Sequence, residues 1–151
     1  MKFNNFLIIV IISLFAIIAF LSSSGNSKSE DYIFYNLDSE RETFDKYKGK
    51  YSILTFTFTR CPSICPMINL ELSKLHYKYG GDINIVSINV DPEHDTQELL
   101  LNYMKTNQYE WDILKGSVAE IERFMGDKLH SNRKLLSPSE HLPNLYLMDK
   151  D

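Results

Sequence analysis

The sequence predicts an α/β domain built on a sheet that contains parallel strands. Two runs of β-branched and aromatic residues with little charge, Ser52 to Phe58 and Ile83 to Val90, are typical of strands buried on both faces. Between them, from Pro66 onward, apolar residues recur with the period of an α-helix. A strand, a helix and a second strand in this order favour a parallel pair joined by a right-handed crossover.

The first predicted helix follows the first strand after the short loop CPSIC. Pro66 suits the first helical position, because its missing N–H costs no hydrogen bond there, and Cys65 is then the predicted N-cap. Leu72 belongs to the apolar face of this helix, whereas Asn69 lies largely off it. Gly80 is expected to end the helix.

The remaining elements are predicted from capping and turn signals. Serine or aspartate followed three residues later by glutamate is a capping-box pattern, and glycine commonly ends a helix. These signals predict a small hairpin over residues 32–44, a helix beginning at Asp95 with Glu98, a short strand over Trp111 to Leu114, a helix from Ser117 to Gly126, and a strand over Leu145 to Met148. Residues 127–139 show no clear period and are expected to form an excursion from the sheet.

The N-terminus predicts a targeting segment. Lys2 precedes the uncharged run Phe6 to Leu21, so residues 1–21 fit a signal peptide or a signal anchor. We favour an uncleaved anchor, because the segment has no clear small-x-small cleavage site and no cysteine to take a lipid. Residues 22–30 form a polar linker, and residues 31–151 form the folded domain, which the positive end of the anchor places on the extracytoplasmic (periplasmic) side.

Charge and cysteine content narrow the class of protein. A formal net charge of −4 over 151 residues, with scattered basic residues, argues against nucleic acid as the partner. The chain has two cysteines, Cys61 and Cys65. In an exported domain such a pair tends to form a disulfide unless a thiol reductase or a metal intervenes.

Both cysteines lie in the loop that leads into the first helix. The positive end of that helix and the neighbouring Arg60 predict that both thiols ionise more readily than free cysteine. Thiolates bind soft metals, attack disulfides, or close a disulfide with each other. A purely structural disulfide is less favoured, because cross-linking so short a loop stabilises a fold only modestly.

The segment FTRCPSICP resembles the CxxxCP signature of the Sco/SenC family, copper proteins that help to assemble the copper centres of cytochrome oxidase. The segments SINVDPEHDTQELL, EWDILKG and HLPNLYLMD resemble later parts of the family pattern, so the similarity covers roughly residues 32–151. It implies a thioredoxin-like fold. The family pattern continues with one more strand and a final helix, which the sequence up to Asp151 does not include. Either the sequence is a piece of a longer chain, or we expect one strand edge and part of one sheet face to be open to water.

The resemblance also implies a metal site formed by Cys61, Cys65 and His141. Two sulfurs and one imidazole nitrogen form a soft set that suits Cu(I), whereas Cu(II) would need a further oxygen ligand and zinc a fourth protein ligand. Asp91 matches the acidic residue of the family's Asp-Pro turn. For it we hold open an outer hydrogen-bonding or docking role and a plain turn role. The other three histidines are expected to be surface or core residues.

The implied function is that of a membrane-tethered copper chaperone, which passes copper by ligand exchange to the copper subunit of cytochrome oxidase or to another copper acceptor. The alternative is a thiol-disulfide oxidoreductase in which Cys61 attacks and Cys65 resolves, reducing cysteines of a copper acceptor. A peroxidase is disfavoured, because Phe58 replaces the threonine expected three residues before the reactive cysteine. A fourth interpretation of the function is a copper- or redox-sensing module.

Overall fold

The computed structural model describes residues 32–131 and 144–150. The strands are β1 Phe34–Tyr35, β2 Arg41–Glu42, β3 Tyr51–Thr57, β4 Ile83–Asn89, β5 Asp112–Leu114 and β6 Tyr146–Met148, and the α-helices are α1 Ile64–Tyr79, α2 Gln97–Asn107 and α3 Val118–Leu129. Two 3₁₀ turns span Phe44–Tyr47 and Gly80–Asp82. The predicted targeting segment and linker lie outside the described residues, and within the described part no helix has the length and apolarity needed to span a bilayer.

The central sheet has the order β5-β4-β3-β6. Strands β3 and β4 are parallel and pair along their whole length, from Tyr51 opposite Ile83 to Thr57 opposite Asn89. Strand β5 is parallel to β4, and β6 is antiparallel to β3. The predicted crossover unit and the mixed α/β architecture are confirmed, and each predicted strand of this sheet agrees with the structure to within one residue at either end.

The hairpin β1–β2 forms a separate two-stranded sheet, as predicted for the start of the domain. Tyr35 also exchanges two backbone hydrogen bonds with Lys115, both 2.8 Å, which attach the hairpin next to β5. Phe34 is fully buried and makes an edge contact with the ring of Phe124 on α3. The hairpin is therefore fixed to the domain by both backbone pairing and aromatic packing.

The main core lies between the sheet and α3. Its members are buried apolar side chains from the central strands, from α3 and from the hairpin, among them Leu54, Phe56, Val86, Ile88, Ile121, Phe124, Met125 and Phe34. A smaller cluster of Leu100, Met104 and Ile113 packs α2 near β5. Because β3 and β4 are parallel and rigidly packed, the loops that leave their carboxyl ends meet at one edge of the sheet.

Helix α1 begins earlier than predicted. Its N-cap is Ser63 and its first residue is Ile64, so Cys65 lies in the first turn and the prediction of Cys65 as N-cap is wrong. Pro66 is accommodated because the first turn of a helix leaves its N–H groups without helical partners. Gly80 ends the helix, as predicted, with a positive φ of 50° that glycine adopts without strain.

Asn69 lies on the buried side of α1, contrary to the prediction. Its side chain is almost completely buried, and Nδ2 donates a 2.8 Å hydrogen bond to the hydroxyl of Tyr103 on α2. The periodic pattern of apolar residues missed this position, since a polar side chain can be buried when a second polar group faces it.

Two other helix ends also differ from the predictions. The N-cap of α2 is Thr96, whose hydroxyl accepts a hydrogen bond from the Leu99 N–H, so Asp95 does not cap this helix. Helix α3 is capped by Ser117, as predicted, but it continues through Gly126 to Leu129. The reason is that Leu129, predicted within an irregular excursion, packs against the main core.

Strand β6 is the outermost strand of the sheet in the described part of the chain. Leu147 on this strand exposes 72% of its surface. The segment that precedes β6, including His141, lies outside the described residues.

Candidate metal centre

A tight turn carries Cys61 away from the end of β3. Its closing hydrogen bond runs from the Cys61 N–H to the Phe58 carbonyl and measures 3.3 Å. The Cys65 N–H, in the first turn of α1, donates to Cys61 Sγ at 3.2 Å. Cys61 and Cys65 are not joined by a disulfide, and they are 9% and 1% exposed. The turn and the helix start therefore bring the two predicted cysteine ligands together, with Cys61 on the more accessible side.

Burial controls the acidity of Cys65. Loss of hydration raises the pKa of its thiol to about 12, the neighbouring Cys61 adds to the rise, and hydrogen bonding from Phe58 and Thr57 opposes it. The prediction that the helix start and Arg60 make this thiol more acidic than free cysteine is wrong for Cys65. A thiolate is poorly solvated at a site with 1% exposure, and this penalty exceeds the lowering of the pKa by the hydrogen bonds from Phe58 and Thr57.

Arg60 is paired with Asp91. Its Nη2 and Nε atoms lie 2.6 Å and 3.2 Å from the same oxygen, Asp91 Oδ2. The Arg60 side chain is more than half exposed, whereas that of Asp91 is nearly buried. The structure therefore places Asp91, for which an outer or docking role and a plain turn role were both open, in contact with the residue immediately before Cys61.

Asp95 is a buried residue of this region that the sequence analysis assigned only to a helix cap. Its carboxylate accepts hydrogen bonds from the Thr59 N–H at 2.8 Å, the Thr59 hydroxyl at 2.5 Å and Asn89 Nδ2 at 2.6 Å. His94 Nδ1 lies 2.9 Å from Oδ1, and it must carry a proton to donate to an ionised carboxylate. Burial alone would raise the pKa of Asp95, but these hydrogen bonds outweigh it and hold the pKa below its usual range.

Asp91, His94 and Asp95 lie close enough to resemble a second metal site, with one potential ligand atom from each within 4.8 Å of the others. Asp91 Oδ2 and both carboxylate oxygens of Asp95 already take part in hydrogen bonds, however. Asp95 accepts from Thr59, Asn89 and His94, and Asp91 accepts from the Arg60 guanidinium. The positive charge of Arg60 also opposes a cation at this place, so the cluster is better explained as an internal hydrogen-bond network.

The structure thus joins three of the four predicted site residues. Cys61 and Cys65 are in direct contact, and Asp91 reaches them through Arg60. His141 lies outside the described residues, and its part in the site stays a prediction. The role of Asp95 near the site was missed. Its position four residues after Asp91 is visible in the sequence, but a capping-box pattern explains an acidic residue there equally well.

Comparisons with known proteins find a matching family model and similar sequences. The SCO1/SenC family model matches residues 22–151. The chain is 30% identical over 139 residues to the SCO1 protein homolog of Bacillus subtilis, covering 83% of this chain and 70% of that protein. It spans less than half the length of several other curated relatives.

Two solved structures are similar over most of the chain. Bradyrhizobium japonicum ScoI with copper bound superposes with a TM-score of 0.64 at 26% identity, covering 80% of this chain and 82% of that one. BsSco, a member of the Sco family of cytochrome c oxidase assembly proteins in which a disulfide switch was identified, has a TM-score of 0.64 at 26% identity, covering 81% of this chain and 77% of its own. The predicted thioredoxin-like fold is confirmed by these matches, and the chain belongs to the SCO1/SenC family.

Proposed function

We propose that this protein binds copper through Cys61, Cys65 and His141 and delivers it to the copper subunit of cytochrome oxidase during assembly. The observation that carries the proposal is the reduced cysteine pair, held together by the 3.2 Å contact between the Cys65 N–H and Cys61 Sγ. Membership of the SCO1/SenC family and similarity to a copper-bound ScoI support copper as the metal.

The donor set fits Cu(I). Two thiolates and one imidazole are soft or borderline ligands, and three-coordinate Cu(I) needs no further donor. Cu(II) would need an added oxygen ligand. Copper is the cargo, and its transfer to the acceptor proceeds by exchange of sulfur and nitrogen ligands without covalent change to this chain.

The direction of β6 supports a role for His141. Strand β6 runs antiparallel to β3, with Tyr146 opposite Leu54, so Asn144 and Leu145 enter β6 from the end of the sheet at which β3 ends. The cysteine turn begins at that same end, after Thr57. His141 precedes Tyr146 by five residues, a distance of up to about 17 Å in extended chain. A contact with the two sulfurs is therefore within reach.

A Cu(I) titration tests the proposal. The reduced full-length protein is titrated in detergent against a competing chelator, alongside Cys61→Ser, Cys65→Ser and His141→Ala. We expect each substitution to weaken Cu(I) binding at least tenfold, because each removes one ligand. His76→Ala is the matched control, since His76 lies on α1 near Glu110 and should leave the affinity unchanged. Undiminished affinity in both Cys61→Ser and His141→Ala would reject the site.

The second candidate function is thiol-disulfide exchange, favoured by the difference in exposure between Cys61 and Cys65. In this reaction the Cys61 thiolate attacks a disulfide of the copper acceptor and expels one acceptor thiolate. Cys65 then attacks the mixed disulfide, which releases the second acceptor thiolate and leaves a Cys61–Cys65 disulfide. The two protons of the dithiol pass to the acceptor, and a thiol reductase must restore the reduced pair.

The two functions separate in an assay of acceptor-peptide reduction. If the protein is a copper chaperone, we expect slow reduction of the acceptor peptide and a strong dependence of copper delivery on His141. Rapid reduction by His141→Ala, abolished in Cys61→Ser, would instead assign the dithiol to reductase chemistry.

We also propose that residues 1–21 anchor the protein in the membrane, with the linker 22–30 holding the domain on the extracytoplasmic side. The charge placement around the apolar run supports this orientation. Protease added to spheroplasts should digest residues 31–151 without lysis. Protection of the domain until lysis would place it in the cytoplasm.

A further inference from the structure

We infer that Asp95 is a positioning residue for the dithiol, because it fixes the turn that delivers Cys61 and thereby favours the reduced, copper-competent pair over the disulfide. The inference rests on the proposed function for its copper-binding consequence. Its structural basis is independent of copper.

The turn from Phe58 to Cys61 is held at both of its central residues. Thr59 donates its N–H and its hydroxyl to Asp95, and Arg60 donates to Asp91. Both carboxylates come from the loop that follows β4. That loop is closed on itself, since the Asp91 carbonyl accepts hydrogen bonds from the N–H groups of His94, at 3.1 Å, and Asp95, at 2.8 Å.

The two contacts differ in what they fix. Arg60 reaches Asp91 through a long side chain that is more than half exposed, so its backbone can move while the ion pair persists. Thr59 is bound to Asp95 through its backbone N–H, which is part of the turn itself. Asp95 is fully buried. Asp95, rather than Asp91, therefore restrains the backbone two residues before Cys61.

Asp95 is itself anchored to the sheet. Asn89, the last residue of β4, donates to Asp95 Oδ2, and the Val90 N–H continues the parallel ladder to the Thr57 carbonyl at 3.0 Å. The restraint on Thr59 is thus transmitted from the rigid ends of β3 and β4. A hydrogen bond to an ionised carboxylate is stronger than one between neutral groups, which suits this role.

The restraint has a chemical consequence for the two sulfurs. In the dithiol, Cys61 Sγ accepts the Cys65 N–H at 3.2 Å. Oxidation requires Cys61 Sγ and Cys65 Sγ to come within bonding distance, about 2 Å, and because Cys61 stands at the end of the turn we infer that the turn moves with it. A turn held by Asp95 resists that displacement. A loosened turn destabilises the dithiol arrangement, whereas the covalent disulfide constrains the loop by itself.

The test measures the metal-free equilibrium between this dithiol and oxidised glutathione, in which the protein loses two electrons and two protons and glutathione gains them. We expect Asp95→Asn to shift the equilibrium about tenfold toward the protein disulfide, equivalent to about 30 mV for a two-electron couple. Thr59→Val, which loses only the hydroxyl contact, should shift it about threefold. Thr59→Ser, which keeps both donors, should stay within twofold of the wild type.

Two further arms keep the result interpretable. Ile113→Val lowers stability in the smaller core cluster, away from the turn, and should leave the equilibrium unchanged. If Asp95→Asn does not fold, the difference between Thr59→Val and Thr59→Ser carries the test. Equal equilibria for these two variants, or a shift in Ile113→Val as large as that in Thr59→Val, would overturn the inference. Cu(I) titration of the same proteins separates the outcomes, since a wild type without Cu(I) affinity rejects the proposed function while the glutathione equilibrium still tests Asp95.

Discussion

The acidity of Cys65 yields a quantitative prediction. With a pKa of about 12, roughly one molecule in ten thousand carries the Cys65 thiolate at pH 8, whereas an ordinary cysteine with a pKa of about 8.5 would be ionised in roughly a quarter of molecules. The difference amounts to on the order of 5 kcal/mol against the buried thiolate. Its cause is the loss of hydration at a side chain that is 1% exposed.

NMR of protein labelled with ¹³C at cysteine Cβ measures this directly, because the Cβ resonance shifts on ionisation and reports each cysteine separately at equilibrium. In metal-free, reduced protein the Cys65 signal should stay constant from pH 6 to pH 10. The same protein unfolded in urea is the control and should titrate near pH 8.5. A folded-state midpoint for Cys65 at or below that value would refute the explanation from burial and restore the one from the helix dipole.

Three further predictions concern stability and copper loading. Leu72→Ala should lower the free energy of unfolding by about 2–5 kcal/mol, because Leu72 is fully buried on α1. Met67→Ala, on the exposed side of the same helix, should change it by less than about 0.5 kcal/mol. Urea denaturation measures both values. The folded-state pKa of Asp95 is depressed, so its contribution to stability is present above about pH 4 and is lost as the pH falls through that folded-state pKa. The free energy of unfolding of Asp95→Asn should therefore vary less between pH 6 and pH 2 than that of the wild type. An equal slope for the two proteins in acid denaturation would contradict this. Cu(I) must displace the Cys65 proton, so the apparent Kd for Cu(I) should fall about tenfold or more per unit rise in pH between pH 6 and pH 8. A pH-independent Kd would show that no thiol proton is released.

The fold was predictable because its main strands carry strong local signals. The runs that form β3 and β4 are apolar, β-branched and bounded by turns, so the parallel pair and its crossover follow from sequence alone. The helix ends were harder. Asp95 and Thr96 are adjacent potential caps, and the choice between them depends on Thr59 and Asn89, which approach Asp95 only in the folded chain.

The contact between Cys61 and Cys65 was predictable from the sequence, whereas the acidity of Cys65 was not. The spacing of Cys61 and Cys65 and the start of a helix are local features that the sequence displays. The acidity of Cys65 depends on how deeply the packed core buries it, and the direction in which the Arg60 side chain points depends on its pairing with Asp91. Both are tertiary effects, which local pattern reasoning does not capture.

Copper X-ray absorption on the Cu(I)-loaded protein tests the central claim most directly. For the wild type we predict two sulfur neighbours from Cys61 and Cys65 and one imidazole nitrogen from His141, with the nitrogen contribution lost in His141→Ala. A spectrum with sulfur neighbours alone, identical in the wild type and His141→Ala, would contradict the three-ligand site.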